Sequence, residues 1–383
     1  MRAEECQARS IRIHTRAGRA YTAGNELRGL IFAVMARPAS PSGSRPSSAD
    51  RPTSFDIAEL AGVSQPTVSR ALRGDKTVSE RTRMRIEAIA QQLNYKVDRA
   101  ASSLRRGEVK TLALLFFEDP LPDGSNINPF FLAMLGSILK TCSQRGYDLL
   151  TSFQRWSADW HVDYEDTRRA DGLILLGYGD WEDYRARVEQ LVTQGTRFVR
   201  WGAPSGVGTT IGCDNVAGGR AAGEHLIARG CRNIAYIGEA SERYPEFRDR
   251  YAGLAEALRA AGLPVDPGLH VDALSVEQKG YEAVQRLLAR GIAFDAVFCA
   301  SDLLALGALR ALSEAGRSVP GDVALIGFDD IPAASHTHPP LTTVAQDYGR
   351  GGAELVDTLI RQITGEPTDD LLLPSRLVVR ASA

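Results

Sequence analysis

Two hydrophobic patterns alternate along residues 111–383. Short apolar runs, typical of strands that are buried on both faces, are Leu112–Phe117, Tyr147–Ser152, Gly172–Leu176, Arg197–Trp201, Asn233–Ile237, Ala296–Cys299, Val323–Gly327 and Leu377–Val379. Amphipathic stretches with apolar residues at helical spacing lie between most of these runs: Phe130–Gln144, Trp181–Gln194, Gly218–Ala228, Arg250–Ala261, Glu277–Ala289 and Leu303–Glu314. This alternation predicts parallel βαβ units, with helices that cover both faces of each sheet.

The number of these units predicts more than one α/β sheet with its covering helices. Two sets of βαβ units within residues 109–383 predict two lobes with a cleft between them. In folds of this kind, ligand sites lie at the carboxyl ends of the parallel strands. We therefore expect the functional residues of this region in the loops that follow its strands.

Residues 53–97 have a helical pattern with no strand-like run. The segment Phe55–Leu72 predicts two short helices around a tight turn, in which Gly62 supplies the backbone freedom that the turn requires. Ser64 is suited to cap the second helix, and Pro66 falls in its first turn, where a missing N–H costs nothing. A third helix is predicted from Ser79, with apolar residues at helical spacing.

The second of these helices keeps a polar face after its apolar side chains are buried. That face presents Gln65, Thr67, Ser69 and Arg70. In helix-turn-helix proteins the N-terminal part of the second helix enters the major groove, where Arg and Gln form paired hydrogen bonds with guanine and adenine. The alternative is a small helical bundle whose polar face is only solvated. The turn chemistry and the local charge together favour DNA binding.

Charge is distributed unevenly along the chain. Residues 1–110 contain 20 Lys and Arg against 11 Asp and Glu, whereas residues 111–383 contain 25 against 36. A positive N-terminal part fits contact with phosphates. A basic stretch is usually a solvated surface, however, so this charge supports DNA binding only together with the helical motif inside it.

The remaining composition favours a cytoplasmic protein. Residues 1–52 show no sustained periodicity and end in a Pro- and Ser-rich stretch, so we expect a disordered or mis-annotated extension, and Met35 is a candidate for the true start. The first thirty residues make a poor secretory signal, and no apolar run is long enough to span a membrane. The five cysteines are scattered and odd in number, which favours reduced, mostly buried thiols over a disulfide framework or a zinc site.

The motifs of residues 53–107 resemble those of the LacI/GalR family of repressors. They are Ala61-Gly62-Val63-Ser64, Thr67-Val68-Ser69-Arg70, Val78-Ser79-x-x-Thr82-Arg83 and Leu93-Asn94-Tyr95. The resemblance continues through Pro339-Pro340-Leu341-Thr342-Thr343-Val344, which we expect to be a returning crossover segment. It implies an all-α helix-turn-helix headpiece (residues 53–97), a hinge helix (98–108) and a two-lobed α/β sensor domain like the periplasmic sugar-binding proteins (109–383).

The resemblance also implies roles for individual residues of the headpiece. Gln65, Pro66 and Arg70 would occupy the base-reading positions, and the phosphate contacts would come from Thr53, Ser64, Thr67 and Ser69. Pro66 offers no side-chain hydrogen bond, so base reading would rest on Gln65 and Arg70 with an apolar contact beside them.

Four positions after the second helix carry further expectations. Arg73 stands where the family commonly has Asn and would add a phosphate contact. Ala101 and Leu104 belong to the segment that resembles the hinge helix, and Leu104 would wedge into the minor groove and kink the operator. Leu104 has an alternative role as a cap on the sensor core. Val97 replaces a frequent Pro before the hinge, which leaves the hinge geometry open.

In the sensor domain the resemblance points to an effector held between the lobes. Arg250, Asp302 and Asp329 would bind its polar groups, and Phe130 and Phe131 would line the cleft. These groups suit a sugar or a similar polyol. The two phenylalanines have an alternative place in the core, and Asp302 has one as a helix cap. Ser301 and Ser275 replace a frequent Asn and an aromatic ring, so Tyr178, Trp156 or Trp160 would supply the stacking.

Two other functional classes compete with a regulator. An enzyme is disfavoured because the chain lacks the common nucleophile, metal and nucleotide-binding motifs, and no cofactor is predicted. A transport-type sugar-binding protein would share the sensor fold but not the headpiece. The predicted partners are therefore double-stranded operator DNA, a small-molecule effector of carbohydrate type and a second copy of the chain. A dimer is expected in place of a tetramer, because no heptad repeat follows the last predicted strand.

Overall fold

The computed structural model describes residues 52–72, 74–95, 109–117, 127–154, 164–165, 167–177 and 179–383. The chain divides into two compact units, residues 1–97 and residues 98–383. The expected extension (1–52, except its last residue) and hinge (98–108) lie outside the described residues, as do Arg73, Ala101, Leu104, Tyr178, Trp156 and Trp160. Predictions that concern those positions stay predictions.

The first unit contains three short helices around a small core. They are α1 (Ser54–Ala61), α2 (Gln65–Leu72) and α3 (Glu80–Gln92). Thr53 caps α1 in a reciprocal capping box with Asp56, and Gly62 ends it in the left-handed conformation at φ 61°. One buried side chain from each helix, Ile57, Val68 and Ile86, meets in the core. The predicted three-helix arrangement is therefore present.

The second unit begins with a lobe built on a six-stranded, all-parallel sheet of order β11-β5-β4-β3-β1-β2. Alternate residues of its central strand face two different apolar clusters, as expected for a sheet that is covered on both sides. The strands are β1 (Thr111–Phe117), β2 (Asp148–Gln154), β3 (Leu173–Leu176), β4 (Phe198–Trp201), β5 (Thr209–Cys213) and β11 (Leu371–Leu373). The helices of this N-terminal lobe are α4 (Pro129–Arg145), α5 (Trp181–Gln194) and α10 (Tyr348–Ile363).

The C-terminal lobe has a second six-stranded sheet, of order β12-β10-β9-β8-β6-β7, in which only β12 runs antiparallel to its neighbour. Its strands are β6 (Ile234–Ile237), β7 (His270–Val271), β8 (Ala296–Cys299), β9 (Ala324–Asp329), β10 (Thr342–Ala345) and β12 (Arg376–Val378). Its helices are α6 (Asn215–Ala228), α7 (Pro245–Ala260), α8 (Glu277–Arg290) and α9 (Asp302–Glu314). Helices α6 and α7 pack backbone to backbone, because a Cβ on Gly253 would lie 2.1 Å from the Val216 carbonyl oxygen.

The chain passes between the two lobes three times, after β5, after β10 and after β11. The passages lie side by side: Asp214 N donates to the Leu373 carbonyl at 2.8 Å, and Ala345 pairs with Arg376. The segment expected to be a returning crossover differs from that expectation. Its last three residues belong to strand β10 (Thr342–Ala345) of the C-terminal lobe, and the crossover follows that strand.

Candidate functional sites

The outer face of α2 carries the polar residues that the sequence singles out. Pro66 and Arg70 are exposed, and Gln65, Thr67 and Ser69 are half-buried. Val68 and Ala71 point inward and hold the helix on the core of the first unit. The outer face of α2 is therefore a polar surface on a packed support, as in helix-turn-helix proteins whose second helix reads base edges.

Some of these side chains have local hydrogen bonds. Gln65 Nε2 donates to Ser54 Oγ at 3.1 Å, which holds the amide against the start of α1. The Ser64 hydroxyl lies 2.9 Å from the Thr67 hydroxyl. The backbone amide of Thr67 donates to the Ser64 carbonyl and not to the Ser64 side chain. Ser64 thus begins α2 through its backbone. Thr53 is engaged in the capping box, so it has a structural role beside any phosphate contact.

Arg250 is a fully buried cation on α7 of the C-terminal lobe. Its Nε donates to Asn215 Oδ1 at 2.9 Å, and one Nη contacts the Ala300 carbonyl oxygen. The guanidinium carbon lies 3.8 Å from the centre of the Phe328 ring. A buried guanidinium with this many fixed partners is held in one orientation, and its fixed position is what a ligand-binding group requires.

Asp329 ends β9 and faces this cation. Its Oδ1 lies 3.6 Å from an Arg250 Nη and accepts from Gln346 Nε2 at 2.6 Å. Its Oδ2 is buried and has no hydrogen-bond partner among the described residues. Burial raises the pKa of Asp329 to about 6, and the nearby Arg250 charge and the Gln346 hydrogen bond limit that rise. The carboxylate therefore has one oxygen available to accept from a hydroxyl.

Asp302 is buried close to Asp329, but both of its oxygens serve the fold. Oδ1 accepts from Thr343 Oγ1 at 2.6 Å, and Oδ2 accepts from Ile331 N at 2.8 Å. Burial raises the pKa of Asp302 well above its ordinary value, and the charge of Asp329 acts in the same direction. The expectation that Asp302 caps its helix is wrong, because Ser301 is the cap and accepts from Leu304 N. Its role as a ligand contact stays a prediction.

The two phenylalanines at the start of α4 lie in the hydrophobic core of the N-terminal lobe. Both rings are buried, with their centres 5.3 Å apart, and Phe130 also packs on Trp201. Of the two alternatives that the sequence leaves open, the packing favours the core. Ser275 and Ser301 stand where the resemblance leads one to expect an aromatic ring and an Asn. Both serines are buried, and Ser275 Oγ donates to Ser301 Oγ at 2.7 Å.

Sequence reasoning missed the residues that hold the two charged groups in place. Asn215 fixes Arg250, and Gln346 fixes Asp329 from the passage that joins the lobes. Asn215 lies two residues after strand β5, and residues that follow parallel strands are the expected place for a site in such folds. Nothing in the local pattern marks Gln346, because its function depends on a residue seventeen positions away.

Neither a metal site nor a membrane span is seen in the part of the chain that the structure describes. Within it, no three His, Cys, Asp or Glu side chains are grouped to hold a metal ion. No described helix combines the length and the apolar character that crossing a bilayer requires.

Comparisons with known proteins agree with this architecture. Residues 55–98 match the family model for bacterial regulatory proteins of the lacI family, and residues 224–383 match a periplasmic binding protein-like domain. The HTH-type transcriptional regulator CelR of Thermobifida fusca is 34% identical over 340 residues, which cover 87% of this chain and 98% of that protein.

Solved structures show the same similarity. A complex of the transcriptional regulator CelR with cellobiose has a TM-score of 0.64 at 33% identity and covers 87% of this chain and all of that one. The lac repressor dimer bound to operator and the anti-inducer ONPF has a TM-score of 0.71 at 27% identity. The match covers 87% of this chain and 99% of the lac repressor chain.

Proposed function

Since the chain belongs to the lacI family of bacterial regulatory proteins and is therefore a DNA-binding transcriptional regulator, we propose that it represses transcription from an operator that α2 reads. The observation that carries this proposal is the polar, solvent-facing side of α2 on a packed helical core. Control comes from an effector of carbohydrate type, bound at Arg250 and Asp329. Regulation, and not catalysis or transport, is the proposed role.

On the DNA side, Arg70 and Gln65 are the base-reading residues of the proposal. A guanidinium forms two hydrogen bonds with guanine, and a carboxamide forms two with adenine. Gln65 must first release Ser54, since its amide nitrogen is bonded there. Pro66 offers an apolar contact, and hydroxyls around the helix hold phosphates, namely those of Thr53, Ser64, Thr67 and Ser69. Arg73, Ala101 and Leu104 extend this set beyond the described residues.

On the effector side, the buried pair of Arg250 and Asp329 provides a donor and an acceptor in fixed positions. Asp329 Oδ2 accepts from an effector hydroxyl, and the Arg250 guanidinium donates to an adjacent oxygen. Neighbouring hydroxyl groups that both donate and accept are characteristic of carbohydrates. The complex of the regulator CelR with cellobiose supports this class. Phe130, Phe131, Tyr178 and Asp302 remain proposed contributors to the cleft.

The proposed active form is a homodimer, which would place two headpieces on two half-sites. An apolar stripe on α4 offers a surface for it. Leu132 and Leu139 are 53% and 47% exposed and lie seven residues apart, so they share one helix face. Gly136 lies between them, and a Cβ at this position would meet no other atom within 4 Å, so the surface permits close approach of a second helix. The lac repressor dimer supports this assembly.

The first test is an electrophoretic shift with the DNA upstream of the chain's own gene. Wild-type protein should bind one specific fragment, and Arg70→Ala should bind it 10- to 100-fold more weakly, because one bidentate base contact is worth roughly 1–3 kcal/mol. A panel of mono- and disaccharides added to the bound complex should include at least one that changes the affinity.

Arg259→Ala is the matched control, because it removes the same charge from an exposed position of α7 in the C-terminal lobe. It should bind like the wild type. If Arg259→Ala weakens binding as much as Arg70→Ala, general charge and not base reading explains the effect. Sugar binding with no upstream fragment bound would favour the transport-type alternative.

A further inference from the structure

One flank of the cleft is closed by direct contacts between the lobes. The guanidinium of Arg243, just before α7, lies between two carboxylates of the N-terminal lobe. It contacts Asp180, and its Nη2 lies 3.0 Å from Glu182 Oε2. The backbones meet at the same place, because Trp181 N donates to the Arg243 carbonyl at 2.8 Å.

A second contact lies beside the first. Glu246 in the first turn of α7 accepts a hydrogen bond at Oε1 from Ala203 N of the N-terminal lobe, at 2.9 Å. The approach requires Gly202, since a Cβ there would lie 2.7 Å from the same oxygen. We refer to the contacts of Arg243 and Glu246 with the N-terminal lobe as the clasp. Glu246 is one helical turn before Arg250, so the clasp and the effector site share one face of α7.

The residues of the N-terminal lobe that take part in the clasp are held in place by a buried cation, Arg200. Arg200 stacks on the Trp181 ring, with its guanidinium carbon 4.7 Å from the ring centre, and donates to the Ala203 carbonyl at 2.6 Å. Asp180 is fixed as well, because it caps α5 by accepting from Glu182 N at 3.0 Å. Both attachment points are therefore rigid, and little conformational entropy remains to be lost when the clasp forms.

We propose that the clasp holds the two lobes closed on this flank without an effector, so that the effector enters a cleft that is already arranged. The clasp contacts join residues of the two lobes directly, and none of them involves the proposed effector position at Asp329. An effector then changes the strength of an existing closure and does not create it. Closure of the lobes can be measured without any sugar or DNA. Only its part in regulation rests on the proposed function.

Hydrogen–deuterium exchange of the full-length protein, resolved to single residues, tests the clasp. Trp181 begins α5, and the first amides of a helix have no partner inside it. The Ala203 amide likewise has its acceptor on the other lobe. Both amides are therefore protected only while the lobes are closed, and in wild-type protein without sugar we expect each to exchange at least tenfold more slowly than an unprotected amide.

The variant Arg243→Gln removes the ion pairs and leaves both backbone groups and Glu246 in place. We expect exchange to become roughly three- to tenfold faster at Trp181 and also at Ala203, given what exposed ion pairs contribute. Sodium chloride at high concentration should accelerate the same two amides in wild-type protein, because it screens these charges. Acceleration at Ala203 is the decisive result, since Arg243 does not touch that amide.

Arg310→Gln is the control, because it breaks an ion pair of similar exposure between α8 and α9 within one lobe. It should leave both amides unchanged. Unprotected exchange of Trp181 and Ala203 in wild-type protein would overturn the proposal, as would acceleration confined to Trp181 in Arg243→Gln. The sugar panel tests the effector site separately, so a failure of either idea is recognised on its own.

Discussion

Asp329 has an unusual backbone as well as an unusual carboxylate. Its φ of 112° is a conformation that residues with a Cβ rarely adopt. Such strain persists only where the surrounding structure enforces it, and it is concentrated at functional sites. Here Gln346 and Arg250 hold the carboxylate. The strain thus supports the proposal that Asp329 is a ligand-binding residue and not a packing residue.

The raised pKa of Asp329 predicts a specific dependence of stability on pH. The folded protein holds this proton more tightly than the unfolded chain does. The contribution of Asp329 is therefore complete below pH 4 and is lost as the pH rises through about 6. The free energy of unfolding of wild-type protein, relative to Asp329→Asn, should fall by on the order of 2 kcal/mol between pH 4 and 7. Denaturant titrations over this range measure it.

Asp322 provides the opposite case for comparison. It is exposed, and hydrogen bonds from Ser318 lower the pKa of its carboxyl group. Relative to Asp322→Asn, wild-type stability should therefore rise as the pH increases through the acidic range. A falling difference for both variants would show that the pH dependence does not originate at Asp329.

At the same scale, the sequence identified single residues better than their partners. Arg250 and Asp329 were predicted to act together, and they lie within 3.6 Å of each other. The alternative places of Phe130 and Asp302 were left open because burial is a property of the assembled lobe. Ser301 was considered only as a replaced ligand residue, whereas its local position before α9 makes it the helix cap.

Among the elements, α10 shows how packing and helix propensity conflict. Glycines disfavour a helix, and several lie in the first turns of α10. The hydrophobic pattern of the sequence did not predict this helix. Gly352 lies against α4, where a Cβ would come 2.7 Å from Ser137 Cβ, and the Ser137 hydroxyl bonds the Gly349 carbonyl at 2.5 Å. The glycines bring two helices of the N-terminal lobe together.

The substitution Gly352→Ala should destabilise the protein by about 1–3 kcal/mol, because the added methyl group forces α4 and α10 apart. Gly349→Ala on the same helix is the control, since the nearest atom to its added Cβ is 3.5 Å away. It should be neutral or stabilising, because alanine favours a helix more than glycine does. Thermal unfolding compares them, and equal midpoints for the two variants would contradict the packing argument.

Element prediction succeeded for helices with a continuous apolar face and missed several strands. The helices with a continuous apolar face, such as α4 and α5, lie within a few residues of the predicted ranges. Strands β5, β7, β10 and β11 were not predicted, and β7 and β11 have only two and three residues. Short strands are defined by their neighbours in the sheet, and that information is absent from the local sequence.

For the whole molecule, the sequence indicated a helix-turn-helix region and a two-lobed α/β sensor, and both are confirmed. It did not reveal that each lobe contains segments from separated regions of the chain, with α10 and β11 returning to the N-terminal lobe. This arrangement follows from long-range pairing, which no local pattern encodes.

Assembly provides the prediction at this scale. Leu139→Glu places a charge on the α4 stripe, where a second copy would bury it, so the proposed dimer should dissociate. Sedimentation equilibrium should report the mass of one chain in place of two. Operator affinity should fall at least 100-fold, because the two headpieces no longer bind as a linked pair.

Val192→Glu makes the same change at an exposed position of α5 in the same lobe. It should remain dimeric and keep its operator affinity. A Leu139→Glu variant that sediments as two chains would place the interface elsewhere.

The three adjacent chain passages have a consequence for how such a protein diversifies. Because the passages lie side by side, we expect the lobes to rotate mainly about one axis through them. Occupants of quite different chemistry then produce the same mechanical output. If the effector binds as proposed, substitutions beside it, such as at the hydrogen-bonded pair Ser275 and Ser301, would alter what is sensed and leave the movement unchanged. Recognition is thus free to evolve separately from the response.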